Sequence, residues 1–451
     1  MARKLFGTDG VRGVAGELLT AELALALGRA ATLQSAQATP RVLVIRDTRE
    51  SGEMLEAALG AGVTAAGGEV LLAGVLPTPA APLLLLRYGF DLAAVISASH
   101  NPYRDNGIKF FAADGFKLSD EIEAEVEARL DQPPPPSTSI GRVRALHGTQ
   151  EDYLRALHER FADLDLTGLD VALDCAHGAT YRVAPEIFRR LGATVTALND
   201  APDGRNINEG CGSTHVDALA RAVVDGGHDV GFALDGDGDR VLAVDRTGTV
   251  VDGDELIALA ALHLRRAGKL PGEGVAVTVM TNYGFHVAMR DAGVEVATTQ
   301  VGDRYVLEAL RERGWTLGGE QSGHIIDMGF NATGDGTAAA LLTLEALQGS
   351  DLADRHAMEK LPQRLVNVRV DDRDAAMASS ELAEASEREA RALEGRGRVL
   401  VRPSGTEQLV RVMVEAPSVQ PRSRSASRTY RSPTCVVTTS TPASRMATWK
   451  P

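Results

Sequence analysis

Residues 41–46 read Arg-Val-Leu-Val-Ile-Arg and residues 66–71 read Ala-Gly-Gly-Glu-Val-Leu, with a helix-like stretch between them. A continuous apolar run of this length is typical of a strand in a sheet that is covered on both faces. A glycine between a helix and a strand fits a helix C-cap, where the backbone turns into the left-handed region. The stretch therefore predicts strand, loop, helix, glycine turn and strand, which is the basic unit of an α/β fold.

The same order recurs twice along the chain. Val171–Asp174 is followed by Leu191–Thr196, and Val275–Met280 is followed by Ala292–Ala297. We interpret this recurrence as three related α/β domains. At this point a chance likeness, of the kind that any α/β protein shows between its parts, stays open as the alternative.

The pattern changes near residue 363. Short alternating strands are predicted at Leu365–Val370, Val399–Arg402 and Leu409–Val414, with one helix over the acidic, alanine-rich stretch Asp374–Glu394. We therefore predict a smaller C-terminal α+β domain and place the domain boundaries at 1–155, 156–252, 253–362 and 363–416. Residues 417–451 are rich in Ser, Thr, Pro and Arg and contain no acidic residue, so we predict a disordered basic tail there.

Composition excludes several classes of protein. The net charge of −14 disfavours nucleic acid as a partner. No apolar run reaches the roughly 18 residues that a membrane helix needs, and no apolar signal region stands near Met1, so a cytoplasmic location is predicted. Cys175, Cys211 and Cys435 are too few and too scattered for a disulfide framework or a zinc site.

Residues 235–240 read Asp-Gly-Asp-Gly-Asp-Arg. Three carboxylates so close together repel one another and need a hard divalent cation to coexist. An EF-hand is excluded, because its sixth and twelfth positions are Arg240 and Arg246 here instead of Gly and Glu. A solvated acidic turn remains the alternative, but the adjoining Arg240 favours a site that also receives phosphate.

Residues 96–109 read Ile-Ser-Ala-Ser-His-Asn-Pro-Tyr-Arg-Asp-Asn-Gly-Ile-Lys. The hydroxyl of Ser99, if it lies near such a cation, is a candidate phosphate carrier, although a serine in such a segment also commonly caps a turn. His100 is not expected to assist it, because adjacent side chains of an extended segment point apart. Lys109 near a phosphoserine would stabilise charge or carry a proton.

Two further loops carry polar groups. Residues 318–324 read Gly-Gly-Glu-Gln-Ser-Gly-His, and Glu320 and Ser322 there suit the hydroxyls of a sugar. Residues 402–407 read Arg-Pro-Ser-Gly-Thr-Glu, in which a guanidinium, hydroxyls and backbone N–H groups predict an anion cradle. Walker A, dinucleotide-binding and zinc patterns are absent from the sequence.

Five motifs occur in the order in which the α-D-phosphohexomutase superfamily has them, namely Phe6–Gly13, Ser97–Pro102, Asp235–Arg240, Gly319–His324 and Arg402–Thr406. The chain resembles this superfamily from about residue 4 to residue 416. The resemblance implies three related α/β domains with mixed sheets, a smaller C-terminal α+β domain and an active-site cleft between all four.

The resemblance also implies a role for each motif. Ser99 would be the phosphorylated serine and would hold one Mg²⁺ together with Asp235, Asp237 and Asp239. Glu320 and Ser322 would contact the sugar. The phosphate that is not being transferred would be held by Arg402, Ser404, Gly405 and Thr406. The transfer site would be lined by Arg12, Lys109, Arg240 and His324. Of these, Lys109 and His324 are the acid/base candidates.

The forms Gly-Thr-Asp-Gly-Val-Arg-Gly and Glu-Gln-Ser-Gly resemble the bacterial phosphoglucosamine mutases within this superfamily. That likeness implies conversion of a small phosphorylated hexosamine, glucosamine 6-phosphate, to glucosamine 1-phosphate through a 1,6-bisphosphate, in amino-sugar nucleotide and cell-wall precursor synthesis. No nucleic-acid or membrane partner is expected, and a homodimer is compatible with it. A phosphomannomutase or phosphoglucomutase, and a non-catalytic sugar-phosphate binder, stay open as alternatives.

The sequence departs from the superfamily pattern near its end. Gln408 stands where the phosphate motif usually continues with Pro, and Ala416-Pro417-Ser418 leads into the basic tail where a closing acidic helix is expected. We interpret the tail as the product of a frameshift. The binder alternative depends on this change disabling the fourth domain.

Overall fold

The structure is a computed structural model that describes residues 5–7, 9–130, 132, 139–404, 407–417 and 447–448. Contacts between residues divide the chain into two units. Unit 1 comprises residues 1–281 and 292–357, and unit 2 comprises residues 282–291 and 358–451. Among the described residues, no helix has both the length and the apolar character that crossing a bilayer requires.

The first part of the chain forms β1 (Phe6–Gly7), β2 (Gly10–Val14), α1 (Ala21–Thr32), β3 (Arg41–Arg46), α2 (Ser51–Ala65), β4 (Glu69–Val75), α3 (Ala80–Tyr88), β5 (Leu92–Ile96), β6 (Asp105–Ala112), α4 (Asp120–Leu130), β7 (Val143–Ala145) and α5 (Thr149–Arg160). The second part forms β8 (Asp170–Asp174), α6 (Val183–Arg190), β9 (Thr194–Leu198), α7 (Asp217–Gly226), β10 (Val230–Leu234), β11 (Val241–Asp245) and β12 (Val250–Val251).

The third part forms α8 (Gly253–Arg266), a 3₁₀ turn (Pro271–Glu273), β13 (Gly274–Thr278), α9 (Tyr283–Asp291), β14 (Glu295–Thr299), α10 (Asp303–Arg313), β15 (Leu317–Gly319), β16 (Ile325–Asp327), α11 (Gly336–Leu347) and a second 3₁₀ turn (Leu352–Asp354). The last part forms β17 (Gln363–Arg369), α12 (Arg373–Met377), α13 (Ser380–Ala392), β18 (Arg398–Pro403), β19 (Leu409–Glu415) and β20 (Ala447–Thr448).

The three sheets of unit 1 share one topology. Their strand orders are β1-β2-β6-β5-β3-β4-β7, β12-β11-β10-β8-β9 and β14-β13-β15-β16. Each contains the same four-strand core, β6-β5-β3-β4, β11-β10-β8-β9 and β16-β15-β13-β14, in which one strand pair is antiparallel and two are parallel. The predicted three related α/β domains with mixed sheets are therefore confirmed.

The polar motifs occupy equivalent places in these three α/β domains, which we call the first, second and third repeat in chain order. In each core, one loop joins a parallel strand to the antiparallel strand that follows it in sequence. These loops are residues 97–104 between β5 and β6, residues 235–240 between β10 and β11, and residues 320–324 between β15 and β16. The central strands β5, β10 and β13 are buried along their whole length, as in sheets that are covered on both faces.

Unit 2 contains an antiparallel sheet of β18, β19 and β17, as the alternating pattern predicts. The single helix predicted over residues 374–394 is wrong, because the chain forms α12 and α13 with a break between them. The Ser379 hydroxyl accepts the N–H of Leu382 and so caps a new helix inside the acidic stretch.

Part of the predicted tail also enters this sheet. Ala447 and Thr448 pair in parallel with Val368 and Arg369 of β17. At these two residues the structure departs from the prediction of an unstructured tail. The rest of residues 418–451 lies outside the described residues, as do Gly405 and Thr406 of the predicted phosphate loop.

Helices α1 and α2 pack with their backbones in close approach. A Cβ atom built on Gly62 of α2 would lie 2.0 Å from the carbonyl oxygen of Leu25 in α1. A Cβ atom on Gly28 of α1 would lie 2.4 Å from the carbonyl oxygen of Leu59. Backbone atoms cannot move aside as a side chain can, so both positions require glycine.

Gly62→Ala should therefore lower the free energy of unfolding by roughly 1–3 kcal/mol, the usual cost of overpacking. Gly60 provides a matched control in the same helix, since its Cβ would meet only a Val70 methyl group at 3.8 Å. Gly60→Ala should leave stability unchanged or raise it by about 0.5–1 kcal/mol through helix propensity. Thermal denaturation followed by circular dichroism compares the two, and equal melting temperatures would contradict the packing account.

Candidate active site

The loop after β10 brings three buried carboxylates together. Asp235, Asp237 and Asp239 are 0%, 1% and 4% exposed, and each offers an oxygen within 4.8 Å of the others. The intervening Gly238 has a φ of 72°, which turns the backbone so that the side chains converge. The convergence predicted from the alternate spacing is present in the structure.

The donor set fits a hard divalent cation. Among the residues that the structure describes, Oδ1 of Asp237 and Oδ1 of Asp239 are buried without a hydrogen-bond partner. Burial, followed by the charges of Asp239 and Asp237, raises the pKa of Asp235 well above its usual range. Such a cluster of negative charge is costly in a dry site, and a cation with oxygen preference relieves both the repulsion and the missing contacts.

The Ser99 side chain faces this cluster. Its hydroxyl donates to Oδ2 of Asp235 over 2.5 Å, and the residue is 1% exposed. Ser97, by contrast, accepts the N–H of Ser99 and donates to Asp47 at 2.6 Å, so its hydroxyl is occupied elsewhere. Of the two serines, Ser99 is therefore the one whose oxygen could meet a metal and a phosphoryl group.

The side chain of His100 lies beside the Ser99 hydroxyl, contrary to the prediction. Its Nδ1 lies 3.2 Å from the Ser99 hydroxyl, although the two side chains were predicted to point apart. The prediction is wrong because the backbone of Ser99 has a φ of 52°. That left-handed conformation, which costs a non-glycine residue roughly 1–2 kcal/mol, turns neighbouring side chains toward the same side.

Two side chains of the first repeat hold Asp237. Lys109 of β6 donates from Nζ to Oδ2 at 2.9 Å, and Thr78 donates from its hydroxyl to the same oxygen at 2.5 Å. Burial favours the neutral amine of Lys109, but the carboxylates of Asp237, Asp9 and Asp239 outweigh it and raise its pKa. Lys109 is therefore held as a buried cation beside the carboxylate cluster.

A second charged cluster adjoins the first. Lys117 bridges Asp9 and Asp303, with 2.6 Å between Nζ and Oδ2 of Asp303, and Arg12 also pairs with Asp9. No role for Asp9, Lys117 or Asp303 was predicted from the sequence. Asp9 lies inside the motif Phe6–Gly13, so its membership of that motif could have indicated a functional role. Lys117 and Asp303 are separated by 186 residues, and no local pattern links them.

His324 lies between the two clusters. Its Nδ1 is 3.6 Å from Oδ2 of Asp239, its Nε2 is 3.7 Å from Oδ2 of Asp303, and the residue is 3% exposed. Burial lowers its pKa, the two carboxylates raise it, and the net shift is upward. The N–H of Gly334 also points at Nε2 over 3.2 Å and favours the neutral ring. These opposing contacts suit a group that gains and loses a proton.

Arg240 and Arg12 retain exposed surface near the cluster. Their side chains are 24% and 27% exposed. The backbone N–H of Arg240 donates to Oδ1 of Asp235, while its guanidinium lies 3.9 Å from Asp239. Two guanidinium groups that are anchored by carboxylates but still open to solvent can bind the oxygens of a phosphoryl group.

The loop after β15 forms a tight turn. Glu320 is 9% exposed, and its Oε1 accepts the N–H of Gly302, while Ser322 is exposed. A Cβ on Gly323 would lie 2.1 Å from the carbonyl oxygen of Val241, so the turn packs against the start of β11, directly after the three aspartates. The structure therefore brings Glu320 and His324 to the same site as the three aspartates.

The predicted phosphate loop belongs to unit 2, and two arginines from outside the motif, Arg373 of α12 and Arg411 of β19, lie beside it. Arg373 donates to the carbonyl oxygen of Ser404 at 2.8 Å, and Arg411 pairs across the sheet with Arg402. Burial and the charge of Arg411 lower the pKa of Arg402. Guanidinium groups that repel one another at a strand end are stabilised by an anion, as the cradle prediction requires.

Comparison with known families matches most of the chain to one family. Four models match, described as phosphoglucomutase/phosphomannomutase α/β/α domain I at residues 3–135, domain II at 151–248, domain III at 252–368 and the C-terminal domain at 365–426.

Curated relatives and a solved structure agree with these matches. The phosphoglucosamine mutase of Moorella thermoacetica is 53% identical over 92% of this chain and 95% of its own length, and that of Desulforudis audaxviator is 52% identical over 91% and 94%. A crystal structure of a phosphoglucomutase/phosphomannomutase family protein from Burkholderia thailandensis, 25% identical, superimposes with a TM-score of 0.77 over 92% of this chain and 93% of its own. The chain therefore belongs to the phosphoglucomutase/phosphomannomutase family, which confirms its resemblance to the α-D-phosphohexomutases.

Proposed function

We propose that this protein acts as a phosphoglucosamine mutase, an enzyme that interconverts glucosamine 6-phosphate and glucosamine 1-phosphate. The observation that carries the reaction type is the Ser99 hydroxyl, 2.5 Å from a carboxylate of the buried aspartate cluster. The sugar assignment is supported by curated phosphoglucosamine mutases that are 53% and 52% identical over nearly the whole chain.

In the proposed reaction, the active enzyme carries a phosphoryl group on Ser99. Asp235, Asp237, Asp239 and an oxygen of that group would hold one Mg²⁺, which would neutralise phosphate charge as a Lewis acid. Arg12 and Arg240 bind the other phosphoryl oxygens, and Lys109 keeps a positive charge beside them. Charge stabilisation of this kind is the main requirement of phosphoryl transfer.

In the first half-reaction, the free hydroxyl of the sugar phosphate attacks the phosphorus of phosphoserine. The bond between phosphorus and the Ser99 oxygen breaks and a 1,6-bisphosphate forms. Of the two acid/base candidates, His324 and Lys109, one accepts the proton of the attacking hydroxyl and the other donates a proton to the leaving Ser99 oxygen. His324 is the better placed of the two to accept the proton, since Lys109 is held protonated by three carboxylates.

In the second half-reaction the bisphosphate presents its other phosphate to Ser99. Glu320 and Ser322 bind the sugar hydroxyls in both orientations. Arg402 and Ser404, with Gly405 and Thr406, hold the phosphate that is not being transferred. Binding energy far from the reacting atoms then fixes the position of whichever end reacts.

Several attributes accompany this proposal. The substrate is a small phosphorylated hexosamine, and the reaction belongs to amino-sugar nucleotide and cell-wall precursor synthesis. A cytoplasmic location and a homodimeric state remain predictions from the sequence. A phosphomannomutase or phosphoglucomutase activity is the nearest alternative, because sugar preference depends on few loop residues.

Ser99→Ala should abolish phosphoenzyme formation and most turnover, because it removes the hydroxyl that donates to Asp235 of the aspartate cluster. Ser97→Ala should still accept phosphate, since Ser97 supports the backbone of Ser99 instead of facing the cluster. Intact-protein mass spectrometry and phosphopeptide mapping after incubation with a hexose 1,6-bisphosphate test this. A label on residue 97 of the wild-type protein would reverse the assignment.

The substrate proposal is tested by kcat/KM on the 6-phosphates of glucosamine, glucose and mannose. Glucosamine 6-phosphate should be preferred by at least about tenfold, a difference of roughly 1.4 kcal/mol in transition-state binding. A preference for the mannose compound would show a phosphomannomutase instead. Sugar-phosphate binding without any isomerisation would identify the non-catalytic binder.

A further inference from the structure

The backbone of Ser99 lies in the left-handed region, with a φ of 52°. This conformation favours glycine, and a serine persists in it only where the surrounding structure holds it there. It also determines where the hydroxyl points, as the contacts with Asp235 and His100 show. Something in the structure must therefore fix the peptide groups on either side of Ser99.

Two side chains donate hydrogen bonds to the same pair of carbonyl oxygens in this loop. Arg49 donates from Nη2 to the carbonyl oxygen of Ser99 at 3.1 Å and to that of Asn101 at 2.6 Å. Asn208 donates from Nδ2 to the same two oxygens at 2.9 and 3.0 Å. Arg49 is 1% exposed and Asn208 is 7% exposed, so these bonds are sheltered from water.

Arg49 belongs to the loop after β3 and is itself fixed. Its guanidinium pairs with Asp47, which also accepts the Ser97 hydroxyl at 2.6 Å. The Ser97 oxygen in turn accepts the N–H of Ser99 at 2.9 Å. The first repeat thus binds the N–H and the C=O of Ser99 through one continuous network.

Asn208 comes from the second repeat. Its own backbone has a φ of 58°, and its N–H donates to the carbonyl oxygen of Ala176 at 2.9 Å. A Cβ on Gly236, in the loop that carries the three aspartates, would lie 2.6 Å from the carbonyl oxygen of Ser99 and 2.7 Å from Nδ2 of Asn208. The contact between Asn208 and the serine loop therefore lies directly against the carboxylate cluster.

We propose that Arg49 and Asn208 are positioning residues for phosphoryl transfer, which hold the carbonyl oxygens of Ser99 and Asn101 and so keep the Ser99 oxygen at the aspartate cluster. This inference rests on the proposed mutase activity. Neither side chain contacts the hydroxyl that carries the phosphate. Their effect is on the backbone, and it should appear in the rate of transfer more than in substrate binding.

Asn208→Gly is the sharpest test, because glycine accepts the left-handed backbone and removes only the two donated bonds. We expect kcat to fall by roughly 10- to 100-fold, as for other small displacements of reacting groups, with KM changed by less than about threefold. The rate of phosphoryl transfer from a hexose 1,6-bisphosphate to Ser99 should fall in parallel. Asn206→Ala is the matched control in the same loop, since its amide donates to the carbonyl oxygen of Ala201 instead, and it should retain wild-type kinetics.

Arg49→Lys provides a second variant that keeps the charge next to Asp47 but loses the fork that reaches both carbonyl groups. It should show the same loss of kcat, and Asn208→Gly should melt at the temperature of Asn206→Ala. A folded Asn208→Gly variant with wild-type kcat would overturn the inference, as would a loss confined to KM. Absence of mutase activity in the wild-type protein would instead contradict the proposed function.

Discussion

Mutual repulsion between three buried carboxylates is the constraint on which the rest of the site depends. Asp235, Asp237 and Asp239 are all shielded from water, so their charges must be balanced by the protein and by a cation. The buried ammonium of Lys109, the backbone N–H of Arg240 and the ring of His324 each contribute to that balance. Among the residues that the structure describes, Oδ1 of Asp237 and Oδ1 of Asp239 have no hydrogen-bond partner, and a divalent ion would bind beside them.

The repeated topology explains how such a site arises. Each α/β repeat offers one loop between a parallel strand and the antiparallel strand after it, and the three loops carry Ser99, the aspartates and Glu320 with His324. The same structural position therefore carries a different set of polar side chains in each repeat. The charged pair of Lys117 and Asp303 joins the first repeat to the third, and Asn208 joins the second to the first.

The sequence predicted what depends on local pattern. Apolar runs indicated the central strands, alternate spacing indicated the aspartate cluster, and the motif order indicated Ser99 and the family. The sequence did not predict the ion pairs of Lys117 with Asp9 and Asp303, because these pairs form only when distant segments of the chain meet. The break before α13 depends on a single capping hydroxyl, that of Ser379, and the approach of His100 to Ser99 depends on one left-handed residue, which periodicity does not encode.

The central claim is that a phosphoryl group on Ser99 and a divalent cation on the three aspartates share one site. It is tested most directly by ³¹P NMR of the phosphorylated enzyme during titration with Mn²⁺, which accepts the same oxygen ligands as Mg²⁺ and is paramagnetic. The account predicts that stoichiometric Mn²⁺ broadens the phosphoserine resonance beyond detection, that excess Mg²⁺ restores it, and that Asp235→Asn weakens the effect. A phosphoserine resonance that stays sharp in the presence of bound Mn²⁺ would contradict the claim.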